Sequence, residues 1–427
     1  VIQPNPDRIA EIFKQLLNKK NINAYRIAKE TGIDKTYLSK LSSGAIAKPG
    51  QDKLIKIARI LNITSEQLQL VFSDPNQAIQ KLDLDRLVSS TPEPTIKPQQ
   101  DWGSAPDGII CHDRQAELNI IQEWIEVKRS RIVTIYGLGG IGKTTLAIKT
   151  ARELKSEFEY VFWRNLNNFP LSEILIQDAL QLFKARPSQV TISQQITTLL
   201  QYLRDRRCLF VFDRLETILA SGNSTQSYDN GYHLYQELLR QIAQTQHQSC
   251  LLVVSDEKPR DLAVWESDSA SIHSLKLQGS TQVCDQILRD KAIPPSSACQ
   301  ELIDTYHAHP LAIKIVATTI LELFNGDVSE FLRQNTLFLG DLRFVIHQQY
   351  ERLGDREKNI LSTIAQAKRP LSLQELIALY TTQLHCSQII DCLDRLHRRS
   401  LLEISRVDHQ NLYGIQPVVR KYIQSTG

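Results

Sequence analysis

The sequence has no methionine, no long apolar run and no two cysteines spaced as C-x-x-C. Without methionine the chain carries no initiator, so a trimmed start is expected. No apolar stretch approaches the about 18 residues of a membrane span, so neither a signal peptide nor a membrane partner is expected. The seven cysteines (Cys111, Cys208, Cys250, Cys284, Cys299, Cys386 and Cys392) are odd in number and scattered. That argues against zinc and against a disulfide framework, and it favours a reducing, cytoplasmic location. His307 and His309 flank Ala308 with no thiol or carboxylate cluster beside them, and read as structural. The net charge of +3 is small, yet it is unevenly spread. Residues 1–72 hold twelve basic against six acidic side chains, so the positive surplus is confined to that segment. At 427 residues the chain is long enough for about three domains.

What is present centres on residues 131–150. Ile132-Val133-Thr134-Ile135-Tyr136 is a short β-branched run expected to form a buried strand. It leads into Gly137, Gly139, Gly140, Ile141 and Gly142, then Lys143, Thr144 and Thr145, then a helix-forming stretch. This is G-x-x-x-x-G-K-[ST] between a strand and a helix, the arrangement that closes backbone N–H groups around phosphate oxygens. Lys143 is expected to reach the β- and γ-phosphates and Thr144 to take a Mg²⁺ coordination position. About 70 residues on, Cys208-Leu209-Phe210-Val211-Phe212-Asp213 is an apolar run closed by an acid, with Asp213 the candidate for Mg²⁺. Further strands at Tyr160–Trp163 and Leu251–Ser255 alternate with helical stretches, Gln115–Lys128 and Thr191–Leu203 among them. That alternation predicts a parallel sheet with its ligand at the strands' carboxyl ends.

In the basic segment, Ile9, Ile12, Phe13, Leu16 and Leu17 form a helical stripe. A short helix over Ala24–Glu30 then ends at Gly32, and Ile33 plugs the turn. A helix capped by Asp34 follows, with Leu38 and Leu41 inward. Ala28, Gly32, Ile33, Leu38, Ser39 and Gly44, with Lys53-Leu54-Ile57-Ala58 after them, resemble the Cro/phage-repressor (XRE-type) helix-turn-helix. By that resemblance the region 24–44 contacts DNA, with Lys35, Thr36, Tyr37, Ser39 and Lys40 reading bases or clamping phosphates. The alternative is a helical bundle used for protein contacts. Beyond it, Asn76–Val88 is expected to be an amphipathic helix, and Pro92, Pro94, Pro98 and Pro106 mark an extended spacer. Trp102 is expected to dock on the domain that follows.

The segments GLGGIGKTTLA, FEYVFWRNL, CLFVFDRLETIL, SCLLVVSDEKP and HPLAIKIVATTI, in this order, resemble the NB-ARC type of STAND ATPase. The bacterial, cyanobacterial kind that precedes WD or TPR repeats is the nearest in flavour. The resemblance implies a multidomain chain: an all-α helix-turn-helix head (1–72), a helix and Pro-rich linker (73–108), an α/β P-loop NTPase core with a parallel sheet (109–275), a helical subdomain (276–345) and a winged helix (346–427). It implies ATP/ADP and Mg²⁺ as ligands, Pro310 against adenine, Arg114 at the loop, and Gln416 where relatives carry a His-Asp pair that meets ADP. Three departures bear on turnover. Arg214 follows Asp213 where a second acid or Asn is common, leaving Glu216 as the nearest carboxylate to polarise a water. Asp256 follows Ser255 where the family has Arg. Gln416 carries no positive charge. Binding is expected, hydrolysis slow or absent. The reading is a nucleotide-controlled signalling switch with self-association on activation, a transcriptional or stress/defence regulator; the alternative is a non-hydrolysing scaffold. No repeat array follows residue 424, so the sensor usual there is expected to be either absent or lost with a truncated end.

Overall fold

The computed structural model describes residues 13, 17, 27–28, 31–43, 45–46, 49–61, 65–73, 99–108, 111–167, 172–184, 191–219, 232–334, 336–367, 369–380 and 383–426. The chain divides into two units, residues 1–97 and 98–427. In the first, helices Lys35–Ser42, Gln51–Leu61 and Ser65–Ser73 surround one cluster that includes Ile27, Ile33, Leu38, Leu41, Leu54, Ile57 and Leu68. Gly32 sits at φ +70°, the left-handed backbone that ends a helix. Asp34 Oδ1 then accepts the N–H of Thr36 at 2.8 Å and of Tyr37 at 3.3 Å, capping the helix that follows. The Ala24–Glu30 helix is described only at Ile27 and Ala28, both helical, and the Asn76–Val88 helix lies outside the described residues.

The second unit is built on a six-stranded sheet: β1 (Gln99–Asp101), β2 (Ile132–Tyr136), β3 (Tyr160–Asn165), β4 (Cys208–Asp213), β5 (Cys250–Ser255) and β6 (Ile272–Lys276). The order is β1-β3-β4-β5-β2-β6, and every pair is parallel. β4 and β5 are buried along their whole length, as strands covered on both faces must be, and this explains their unbroken apolar runs. Residues 99–101 correct the reading of the Pro-rich spacer. They pair with β3 as an edge strand, and Trp102 reaches Trp163 with ring centroids 6.4 Å apart. The expected helix over Gln115–Lys128 is α-helical only to Gln122 and continues as a π-turn over Glu123–Val127.

Helices Thr281–Asp290, Ser297–Thr305, Pro310–Leu323 and Val328–Arg333 come next, then Leu342–Glu351. Helices Asp355–Gln366, Leu373–Tyr380 and Cys386–Arg398 share a small sheet with β7 (Leu371–Ser372), β8 (Glu403–Val407) and β9 (Gln410–Gly414), ordered β7-β9-β8. This three-helix unit with a hairpin is a winged helix. Its turn is the two residues Asp408 and His409, both at positive φ, and Gln410 pairs with Val407 as part of the strand. One continuous core joins these helices to the winged helix, from Leu302 and Ile313 through Ile346 to Ile360 and Tyr422.

Candidate functional site

The strand order decides where the chemistry gathers. β2 lies beside β5, and β5 beside β4, so the carboxyl ends of three strands open onto one place. β2 delivers the glycine loop, β4 delivers Asp213 and β5 delivers Ser255-Asp256. A cavity of about 920 Å³ lies there. Its walls include Arg114, Gly139–Thr145, Asp213, Glu216, Asp256 and Pro310.

The loop needs its glycines at two positions above all. Gly140 has φ +81° and Gly142 φ +103°, and a Cβ on Gly140 would come within 2.6 Å of Leu311. Lys143 opens the helix that runs to Leu154. Its ammonium donates to the carbonyls of Gly137 and Leu138, each at 3.0 Å, and to Asp256 Oδ1 at 2.6 Å. The Thr144 hydroxyl donates to Asp213 Oδ1 at 3.0 Å, so the two residues expected to serve a divalent cation already touch. Burial pushes the Asp213 carboxyl up, and the Thr144 hydroxyl and the charges of Arg214 and Lys143 oppose that shift. Glu216 is buried and accepts the Asp256 N–H at 3.0 Å. Burial first, and the Asp256 charge second, push it up to about 7.

The other sequence-marked residues fall at several places around the loop. Arg114 lines the cavity, but its guanidinium is bonded to Glu117 at 2.6 Å, to the Gln278 carbonyl at 2.9 Å and to the Ile141 carbonyl at 3.3 Å. It braces the loop from behind. Gly137 is not among the lining residues; it lies against Leu277. Gln416 is likewise not among them. It precedes the helix Pro417–Thr426, and its carbonyl accepts Arg420 N–H at 2.9 Å, so it is held at the start of a helix packed into the winged-helix core. Lys258, two residues beyond Asp256, pairs with Glu266.

The structure also brings further residues against the glycine loop. His309 is fully buried, its Nδ1 accepting the Ala312 N–H at 3.2 Å and its Nε2 lying 3.0 Å from the Gly139 carbonyl. From helix Leu342–Glu351, Val345 touches Gly139 and Gln349 Oε1 accepts the Gly139 N–H at 3.2 Å. Val345, Gln349 and Arg352 recur at helical spacing, the one signal that could have shown them as a face.

In the first unit, Thr36 and Lys40 are exposed on the Lys35–Ser42 helix. Tyr37 is only half exposed. It packs against the core, and Lys53 Nζ sits 3.7 Å from its ring centroid, which corrects its reading as an outward residue. The side chains of Lys35 and Ser39 lie outside the described residues.

A glycine loop between strand and helix, a lysine at its end and a hydroxyl on a strand-end aspartate define a P-loop nucleotide-binding fold, which works with a divalent metal. Residues 114–217 match the NB-ARC domain and residues 13–68 a helix-turn-helix. The chain therefore carries an NB-ARC domain, a P-loop module, with a helix-turn-helix module ahead of it. An uncharacterized WD repeat-containing protein of Nostoc sp. is 36% identical over 346 residues, covering 77% of this chain and 27% of that protein. Disease resistance protein RPV1 of Vitis rotundifolia is 23% identical over 282 residues, 62% of this chain and 18% of that protein. The chain thus spans about a quarter or less of these relatives. A solved STAND protein with a tetratricopeptide repeat sensor from Pyrococcus horikoshii is 15% identical, covering 77% of this chain and 44% of that one, with a TM-score of 0.35. The Aeropyrum pernix ORC1 protein in complex with DNA is 14% identical, covering 78% and 95%, with a TM-score of 0.34. Among the described residues, no helix is long and apolar enough to cross a membrane.

Proposed function

We propose that this chain is an ATP/ADP-binding switch whose nucleotide state controls the packing of its modules and the action of a DNA-binding head. The observation that carries the reading is the convergence at one cavity of Gly139–Thr145, Lys143 and the Thr144–Asp213 hydrogen bond. The residues fit a Mg²⁺-nucleotide. The loop is shaped by left-handed glycines, the hydroxyl and carboxylate are already paired for a hydrated cation, and Pro310 and Leu311 give the cavity an apolar wall for a base. When bound, the cation would neutralise phosphate charge. Lys143 would bind the terminal phosphates, Gly140–Thr145 would hold them through backbone N–H groups, and Pro310 would pack on adenine. Glu216, buried and raised towards neutrality, is the candidate to take a proton from an attacking water.

In this reading ATP loosens the winged helix from the core, copies of the chain associate in the cytoplasm, and several heads reach DNA together through Thr36, Lys40 and the rest of region 24–44. A non-hydrolysing scaffold is the second reading, favoured by the engagement of Lys143 with Asp256. Two measurements test the proposal. Purified chain is denatured and the supernatant assayed for adenine nucleotide, and the apo chain is titrated with ADP or ATP plus Mg²⁺. Wild type is expected to bind and Lys143→Ala to lose most of its affinity; a wild type that binds neither nucleotide overturns the proposal. Single-turnover hydrolysis then separates switch from scaffold, because equal rates in wild type and Lys143→Ala remove the enzyme.

A further inference from the structure

The Lys143 ammonium has three N–H bonds, and all three are used inside the protein. Two go to the Gly137 and Leu138 carbonyls and the third to Asp256 Oδ1 at 2.6 Å. The place of that carboxylate is set by the sheet. Tyr136, the last residue of β2, pairs with Ser255, the last of β5, so Asp256 leaves its strand level with the start of the glycine loop. It is pinned there from the other side, because its N–H donates to Glu216 at 3.0 Å. Both Asp256 and Glu216 line the cavity, as does Asp213. This end of the cleft therefore presents three carboxyl groups around one ammonium. Arg214 and Arg352 also line the cavity, but each is engaged, Arg214 with Asn167 at 3.0 Å and Arg352 with Glu257 at 2.9 Å.

We infer that Asp256 is a specificity-determining residue that makes this cleft prefer a nucleoside diphosphate to a triphosphate. The inference rests on the nucleotide-binding reading above and adds to it which nucleotide the cleft prefers. The lysine of a phosphate loop serves the β- and γ-phosphates. For a triphosphate to use Lys143 fully, the ammonium must leave Asp256, and the freed carboxylate then faces the terminal phosphoryl group as a like charge. A diphosphate ends one phosphoryl group earlier and demands less of the lysine, so the Lys143–Asp256 pair can persist beside it. Repulsion between close charges in a partly desolvated cleft is strong enough to separate two ligands by an order of magnitude or more. Binding of a triphosphate through Lys143 therefore requires the Lys143–Asp256 pair to open.

The test is equilibrium binding of ADP and ATP, each with Mg²⁺, to the full chain, read by calorimetry. Wild type is expected to bind ADP about tenfold or more tightly than ATP. Asp256→Asn keeps the shape and an acceptor for Lys143 but removes the charge, and is expected to shrink the preference by about tenfold. Asp256→Glu keeps the charge and is expected to retain the preference, a rescue that a purely structural role would not predict. Should Asp256→Asn prove unstable by thermal melting, Asp256→Ser is measured in its place, and the wild-type ratio stands as an independent readout. Equal wild-type affinities, or a ratio unmoved by loss of the charge, overturn the inference while leaving nucleotide binding intact. Failure of wild type to bind either nucleotide overturns both.

Discussion

His309 ties two parts of the cleft through one ring. Because Nδ1 accepts the Ala312 N–H, Nε2 must carry the proton it gives to the Gly139 carbonyl, so the buried imidazole works as a neutral tautomer. Burial is the main cause that brings its pKa down to about 4, with Lys143 adding to the shift. Protonation would place a second charge in the core and cost Nδ1 its acceptor role. The sign follows from linkage. A group whose folded pKa is depressed contributes stability above its unfolded value near 6.5, and that stability is lost as pH falls towards 4. Thermal unfolding of wild type across that window is expected to lose about 3 kcal/mol relative to His309→Asn, which keeps a capping acceptor but cannot titrate. Parallel pH profiles for the two proteins would exclude His309 as the source. A second residue-scale expectation concerns Gly140. Gly140→Ala must place a Cβ 2.6 Å from Leu311 at φ +81°. A stability loss of about 1–3 kcal/mol is expected, with weakened nucleotide binding, measured by melting and titration.

At the scale of elements, the segment that leaves β5 faces two ways. Asp256 turns to the glycine loop, and the next residue, Glu257, turns to the winged helix. Buried Glu257 receives Arg352 at 2.9 Å and Arg399 at 2.8 Å, while the Lys258 N–H donates to the Arg398 carbonyl at 2.9 Å. Arg399 also donates to the Arg352 carbonyl at 2.6 Å and lies 3.5 Å from Glu357. Removing one partner from such a buried network leaves charge uncompensated, so Glu257→Ala is expected to cost about 3–5 kcal/mol. Hydrogen exchange should show the loss first in helix Cys386–Arg398, because that helix ends on the latch; uniform loosening of the whole unit would argue against a local clamp. None of this was visible in sequence. Strands β2, β4 and β5 were legible because burial on both faces leaves near-continuous apolar runs, and the glycine loop because phosphate geometry dictates its spacing. Glu257, Arg352 and Arg399 look like ordinary surface charges until the fold brings residues about 95 to 142 positions apart together. The edge strand Gln99–Asp101 was hidden by the prolines around it, since three residues are too few to show alternation.

For the molecule as a whole, the question is how a change in the cleft would alter binding by the head. Under the proposed reading the positive surplus of residues 1–72 would supply phosphate attraction, and Thr36 and Lys40 are exposed on the helix that would enter the groove. One head alone would then bind weakly and lose affinity steeply with salt. In the proposed switch, copies brought together by the nucleotide-bearing unit would bind as linked heads, raising apparent affinity by about 10²–10⁴-fold without any new DNA contact. Two observables therefore separate. Lys40→Ala is expected to lower the slope of log affinity against log salt by about one in every nucleotide state. Lys143→Ala is expected to leave that slope per head untouched and to abolish the difference between ADP- and ATP-loaded chain. The measurement is a salt titration on random and selected duplexes, with sedimentation of the same samples. If ATP raises duplex affinity while the chain stays monomeric, the coupling runs within one chain and avidity is not its cause.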